Sequence, residues 1–234
     1  MLEERFAMSD PIPMHIIARV RSDFPTKFGI PRQSGLADAP ARIVFEPPYR
    51  SADALRGIEG YTHLWLIWHF SEADRAGWSP TVRPPKLGGN KRVGVFATRS
   101  PFRPNAIGLS SVRLVRVEAQ TAEGPVLHIA GADLMDGTPL FDIKPYLPYT
   151  DAHPQAASGF ALAQDAVRVD CAPALLEALP PDRRQALLSV LAQDPRPAYQ
   201  NQAERVYGFP FAGCEVRFTV ADGVLTVQSI EPCQ

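Results

Sequence analysis

Proline limits this chain more than any other residue. There are 24 in 234 residues, about twice what an average usage of roughly 5% would give. They come in clusters: Pro47-Pro48, Pro84-Pro85, Pro101 with Pro104, Pro145 with Pro148. The pyrrolidine ring fixes φ and removes a backbone donor, so each cluster interrupts regular structure. Long helices are thereby excluded from most of the first 150 residues. What remains is a series of short apolar segments at residues 14–20, 41–45, 61–70, 93–97, 107–117 and 126–131. Bounded by turn formers and rich in β-branched and aromatic side chains, they read as strands. In 61–70 a period of two puts Thr62, Leu64, Leu66, Trp68 and Phe70 on one face, and His63, Trp65, Ile67 and His69 on the other. Only residues 51–58 offer a short helix there, with Ser51 placed to cap it. Many short strands without βαβ alternation predict a mainly β fold, a closed or nearly closed Pro-rich β-barrel.

The character of the chain changes after about Gln155. Residues 165–193 are rich in Ala and Leu, and Pro181-Asp182-Arg183-Arg184 has the proline and acid of a helix start. Asp194-Pro195-Arg196-Pro197 stops that helix, and residues 215–220 and 224–230 flank an Asp222-Gly223 turn, which predicts a hairpin. The expected organisation is a barrel domain over residues 1–155 and a small α+β domain over 156–234. Three scattered cysteines, Cys171, Cys214 and Cys233, lack CxxC spacing and read as reduced thiols. The acidic start Met1-Leu2-Glu3-Glu4 is not a signal peptide, and the longest apolar run, seven residues, is far too short to span a bilayer. A soluble cytoplasmic protein with no membrane partner is expected.

A net charge of −1 argues against holding nucleic acid by bulk charge, yet it hides an asymmetry. Between Arg75 and Val117 there are nine basic residues and no acid: Arg75, Arg83, Lys86, Lys91, Arg92, Arg99, Arg103, Arg113 and Arg116. Such a block attracts phosphates, although a charge run alone is as readily a solvated face. Within it, Thr98-Arg99-Ser100-Pro101-Phe102-Arg103-Pro104 is a proline-stiffened loop that displays guanidiniums and hydroxyls, the groups that grip carboxylate or phosphate. Asp136-Gly137-Thr138-Pro139 is a turn that leads into an extended segment with Asp142, Lys144 and Tyr146 on one side. Pro31-Arg32-Gln33-Ser34 sits in a Gly/Pro-bounded loop. His63 and His69 share a strand face about 20 Å apart, too far to hold one ion, so no metal site is expected. Trp65, Trp68 and Trp78 are as suited to a core as to stacking on a base. Neither GxSxG nor a strand-borne GxGxxG is present.

Together, Ile30-Pro31-Arg32-Gln33-Ser34-Gly35-Leu36, the stretch from Thr98 to Ser110 and the stretch from Asp136 to Tyr146 resemble the signatures of the TsaA/TrmO (YaeB-like) family. Its members are tRNA N6-threonylcarbamoyladenosine N6-methyltransferases. The resemblance runs from about Met14 to Tyr149, and Asp194-Pro195-Arg196-Pro197-Ala198-Tyr199 also matches bacterial members. It implies an S-adenosylmethionine site on a β-barrel at a homodimer interface. By position, the cofactor contacts fall to Pro31, Arg32, Gln33, His69, Phe70, Arg99, Leu109, Asp136, Gly137, Thr138 and Pro139. Phe70 stands where the family often has Gln. The implied substrate is the modified adenosine next to the anticodon of threonine tRNA. Asp142 or Tyr146 would then accept the N6 proton, with Lys144 assisting or gripping the threonyl carboxylate. Lys86, Lys91, Arg92, Arg103, Arg196 and Tyr199 would hold the RNA. The competing expectations are a non-catalytic RNA-binding barrel that senses S-adenosylmethionine, and a methyltransferase acting on a small molecule.

Overall fold

The computed structural model describes residues 12–73, 78–84, 87, 91–161, 166–196, 202 and 204–233. The first half runs through β1 (Ala18–Ser22), β2 (Pro40–Phe45) and β3 (His63–His69), then a short ribbon of β4 (Thr81–Val82) and β5 (Val93–Gly94). β6 (Ile107–Glu118), β7 (Val126–Ala130) and β8 (Pro139–Pro145) follow. Six of these strands close into an antiparallel barrel in the order β1-β2-β7-β6-β3-β8, with β8 pairing back onto β1. The period-two reading of β3 holds: Leu64, Leu66 and Trp68 point inward and are buried, while Trp65, Ile67 and His69 lie on the outer face. On β6, Gly108, Ser110 and Val112 are inward, whereas Ile107 and Leu109 are exposed. Between β3 and β8 the register slips at Ile67/Trp68, so Asp142 and Leu140 are paired and Phe141 is left out. This bulge turns Phe141 toward His69, with ring centroids 5.8 Å apart.

Some expectations needed correction. Residues 93–97 do not form one strand: the pairing stops at Gly94, and Val95–Ala97 is a 3-10 turn. Val95 drops into the interior, and the Thr98 hydroxyl closes the turn on its carbonyl at 2.8 Å. The expected helix over 51–58 is a pair of 3-10 turns, Ala52–Leu55 and Ile58–Gly60, divided by Gly57 at φ +89. Ser51 makes no side-chain cap bond there. Of segment 14–20, the strand begins only at Ala18, although the Ile17 backbone already bonds to Leu140 and Glu46.

After the one-turn helix α1 (Pro148–Asp151), the chain builds β9 (Arg168–Asp170), α2 (Pro173–Leu176), α3 (Pro181–Ala192), β10 (Tyr207–Phe211), β11 (Cys214–Ala221) and β12 (Val224–Pro232). The sheet order is β10-β11-β12-β9, with β9 parallel to its neighbour. α3 buries Ala186, Leu187, Val190 and Leu191, the face that i, i+4 spacing makes, against this sheet. Asp222 and Gly223 both have positive φ, as a two-residue hairpin turn requires.

Each unit has its own core, and the connection between β1 and β2 packs into that of the second unit. Phe24, Ala37 and Ala39 are buried with Leu187, Phe209 and Phe218 of the second unit. Gly29, at φ +94, lies so close to the Phe209 ring that a Cβ would stand 2.2 Å from it. Asp23 pairs with Arg183 of α3 at 2.5 Å. Among the described residues no helix is long and apolar enough to cross a membrane.

Candidate active site

Two neighbouring cavities of about 340 and 370 Å³ share a wall made by Pro31, Trp68, Phe70 and Asp133. The first is completed by Gln33, Arg99 and Leu109, and the second by His69, Met135 and Thr138. A wider groove of about 1090 Å³ adjoins the first through Arg32, Gln33, Thr98 and Arg99. Its sides carry Arg83, Arg92 and the exposed ring of Phe96.

The loop bearing Arg99 is braced from within. The Thr98 hydroxyl accepts from the Ser100 amide at 3.2 Å, and the Ser100 hydroxyl accepts from the Phe102 amide at 3.2 Å. Arg103 donates to the carbonyls of Thr98 and Ser100 at 3.2 and 3.3 Å, so it holds the loop as well as lining the cavity. Arg99 itself reaches across to the side-chain oxygen of Gln33. Two cavity-facing groups from distant parts of the sequence are thus tied to each other.

Asp133 is the group that the sequence did not reveal. Burial pushes its carboxyl above the ordinary range. Opposing that are the Ser110 hydroxyl, donating to Oδ1 at 2.5 Å, the backbone amides of Asp133 and Ser34, and the charge of Arg99. Ser110 in turn accepts from the Trp68 indole at 3.0 Å. The available signal was an acid set directly after the buried strand end Ala130-Gly131-Ala132 and three residues before the Asp136 turn. Nothing in periodicity distinguishes such an acid from a surface one.

The predicted residues fall into three groups. Pro31, Arg32, Gln33, Phe70, Arg99 and Leu109 come together around the smaller cavity, and His69 and Thr138 line its neighbour. Phe70 presents an aromatic face and lies against Trp68 with ring centroids 4.2 Å apart. Asp136, Gly137 and Pro139 line neither. Asp136 accepts from the Ser22 amide at 3.1 Å, and the Gly137 carbonyl accepts from Arg19 at 3.2 Å, so this part of the turn fastens β1. Asp142, Lys144 and Tyr146 do share one side, the outer face of β8. There Asp142 and Lys144 pair at 2.8 Å, and the Tyr146 ring packs 5.5 Å from that of Trp65. None of the three lines the two cavities, although Trp65 lines the smaller one.

Of the basic residues, Lys91 and Arg92 are exposed, and Arg92 donates to the Thr81 hydroxyl at 2.8 Å. Arg113 and Arg116 are paired with Asp38 and Glu118, acids from outside the basic stretch. The Arg196 side chain is only 11% exposed and is bound to both carboxylate oxygens of Asp194. Arg75, Lys86 and Tyr199 lie outside the described residues. Trp68 is core and cavity wall at once; Trp78 is exposed beside Phe96. Among the described residues no group of three or more His, Cys, Asp or Glu side chains stands where it could hold a metal ion.

The cavity walls fit an S-adenosylmethionine molecule. Its carboxylate matches the Arg99 fork, its positive charges match the half-buried Asp133, and its flat ring suits the Trp68–Phe70 wall.

Comparison with known proteins gives the family. The tRNA-methyltransferase O N-terminal domain model matches residues 19–152, and the TrmO C-terminal domain model matches 164–233. The tRNA (adenine(37)-N6)-methyltransferase of Escherichia coli K12 is 41% identical over 227 residues, covering 92% of this chain and 96% of its own length. That of Eikenella corrodens is 47% identical over 172 residues, covering 73% and 97%. A crystal structure of TrmO from P. aeruginosa superimposes with a TM-score of 0.76 at 33% identity, over 95% of this chain and 98% of the other.

Proposed function

The chain belongs to the TrmO family of tRNA methyltransferases, and from that premise we propose that it methylates N6 of adenosine 37 in a tRNA anticodon loop, with S-adenosylmethionine in the paired cavities. The observation that carries the cofactor placement is the smaller cavity, on which the Arg99–Gln33 pair and the Asp133–Ser110–Trp68 chain converge. When bound, S-adenosylmethionine supplies an electrophilic methyl group on a sulfonium. The protein's part in such a displacement is to position and to exclude water. Arg99 holds the carboxylate end. Asp133 faces positive charge, and Trp68 with Phe70 supplies an apolar, water-poor wall.

The acceptor is best read as the threonylcarbamoyl-bearing adenosine of threonine tRNA. An anticodon-loop base is unpaired, so drawing it out costs less than flipping from a duplex. The wide groove suits the RNA strand: Arg83 and Arg92 meet phosphates, and Phe96, 73% exposed, offers a face on which a base stacks. Asp142 or Tyr146 takes the N6 proton, and Lys144 grips the threonyl carboxylate or supports the acid beside it. A homodimer accounts for the apolar side chains left on the outer surface of β6. Ile107, Leu109 and Val115 are 37%, 55% and 51% exposed, and Leu109 borders the cofactor cavity. A second copy over this face would close the site. Work on tRNA places the enzyme in the cytoplasm.

The test is incubation with methyl-labelled S-adenosylmethionine and bulk tRNA, prepared with and without the threonylcarbamoyl group. Label is expected in threonine tRNA only when the group is present. Cofactor binding with no transfer would make the protein a sensor, and labelling of small molecules but no RNA would make it another class of methyltransferase.

A further inference from the structure

The loop that carries Gln33 to the cofactor cavity is held from behind by the C-terminal unit, and the grip is specific. The Arg32 guanidinium donates from Nη2 to the carbonyls of Asp194 and Arg196, at 3.1 and 2.9 Å. Those carbonyls lie just past the C-terminal end of α3. There Asp194 leaves the helix in the left-handed region, at φ +47, with its amide on the Leu191 carbonyl at 3.0 Å. A cation close to a helix C-terminus is favoured by the helix dipole, and here it also satisfies two carbonyls of the chain that leaves the helix. Arg32 therefore ties its loop to the segment that follows a helix of the other unit.

That segment is itself fastened. Asp194 takes the Arg196 side chain with both oxygens, at 2.8 and 2.9 Å. Burial pushes the Asp194 carboxyl up, but the hydrogen bonds and charge of Arg196, with the charge of Arg32 behind them, outweigh it and hold it below the ordinary range. Beside this, Phe28 meets the Phe209 ring edge-on, and Gly29 lies against the same ring with no room for a Cβ. On its other side, the loop is bound to the active site. Gln33 holds Arg99, and the Ser34 hydroxyl accepts from the Ser111 amide at 3.1 Å.

We propose that Asp194 and Arg196 are positioning residues for the cofactor site: they set the α3 end that holds Arg32 and so fix Gln33 against Arg99. The C-terminal unit thereby acts on cofactor affinity as the rear wall of this loop. The inference rests on the reading that the Arg99 cavity holds S-adenosylmethionine.

The experiment is isothermal titration of the full-length protein with S-adenosylmethionine, well below its melting temperature, together with steady-state methylation of tRNA. Asp194→Ala removes the ion pair and leaves alanine in a left-handed conformation. Asp194→Asn keeps an acceptor in a residue that tolerates that conformation. Expected are a Kd for S-adenosylmethionine raised about tenfold in Asp194→Ala and recovery to within about threefold of wild type in Asp194→Asn. In both, kcat at saturating cofactor and KM for tRNA should stay close to wild type. A role in stability alone would lower Tm and leave the Kd of the folded protein unchanged, which overturns the proposal. So does a raised KM for tRNA with cofactor Kd intact, since Arg196 would then act on RNA. The cofactor reading fails separately, if wild type takes up no S-adenosylmethionine or if Arg99→Ala binds it as well as wild type does.

Discussion

Ser110 donates its hydroxyl to Asp133 at 2.5 Å, which fixes a half-buried acid in the wall common to both cavities. Because burial raises its pKa, the native state favours the protonated form more than the unfolded chain does, whose carboxyl titrates near about 3.9. The stabilisation from this group is therefore complete below the unfolded pKa and is lost as pH rises through the native value. A carboxylate held here above the native pKa is therefore held at the expense of stability. Asp133→Asn should accordingly raise Tm at pH 7, by about 2–4 °C for each kcal/mol recovered in a chain this long. The same change should weaken S-adenosylmethionine binding at least tenfold. In wild type, cofactor affinity should fall as pH drops through the raised pKa, at pH values where an ordinary Asp is still ionised. Calorimetric titrations from pH 4.5 to 8 check this, and Asp133→Asn should show no such limb.

Gly108 is a second consequence of the same wall. A Cβ there would stand 2.2 Å from Cε2 of Trp68, and that indole is buried and bonded to Ser110. The indole is anchored to Ser110 and must shift to make room, so Gly108→Ala overpacks the barrel at a cost of about 1–3 kcal/mol. It should lower Tm and deform the cavity, so that cofactor affinity drops although no polar contact is removed. Thermal melts read the first effect and titration the second. Trp68→Phe in the same chain should recover part of the stability but not the binding, since the bond to Ser110 is gone.

Arg99 and Arg92 both line the wide groove, but only Arg99 also borders the smaller cavity. Arg99→Ala should raise the Kd for S-adenosylmethionine more than tenfold. Arg92→Ala should leave that Kd within twofold and instead weaken tRNA binding. It should also reduce the slope of log K against log salt by about one. Fluorescence anisotropy of labelled tRNA across a salt series separates the two.

Local chemistry made the barrel legible. The proline clusters ruled out long helices in the first half, and the alternation in β3 separated its two faces correctly because one face of every barrel strand must be dry. The Asp222-Gly223 hairpin and the Pro181 helix start were equally local signals. The site was legible where its groups sit in stiff loops, as with Gln33 and Arg99. Asp133 was hidden because its importance comes from long-range burial, beside a serine 23 residues away. The position of Arg196 was hidden for the same reason. A basic residue after a helix looks solvated until the fold brings Arg32 to the Asp194 and Arg196 carbonyls, 162 and 164 residues along the chain.

The outer face of β8 poses the last question, which residue takes the N6 proton. Asp142 is engaged by Lys144 at 2.8 Å and by the Ile143 amide at 2.9 Å, and both members of the ion pair are substantially exposed. An exposed pair of this kind contributes at most about 1 kcal/mol, so breaking it should cost the fold little. Tyr146 leans on Trp65, which also lines the smaller cavity, and it adds a hydroxyl to the same face. If Asp142 accepts the proton, Asp142→Asn should lower kcat by about 10² or more, in line with positioned general bases. The Kd for S-adenosylmethionine should not change, and Tm should stay within about 2 °C. Lys144→Ala should chiefly raise KM for tRNA carrying the threonylcarbamoyl group, because its charge would meet that carboxylate. Single-turnover methylation at saturating cofactor reads the chemical step without product release. A full rate in Asp142→Asn, with loss in Tyr146→Phe, would move the proton to the phenol. Full rates in both would leave the protein's contribution to positioning alone.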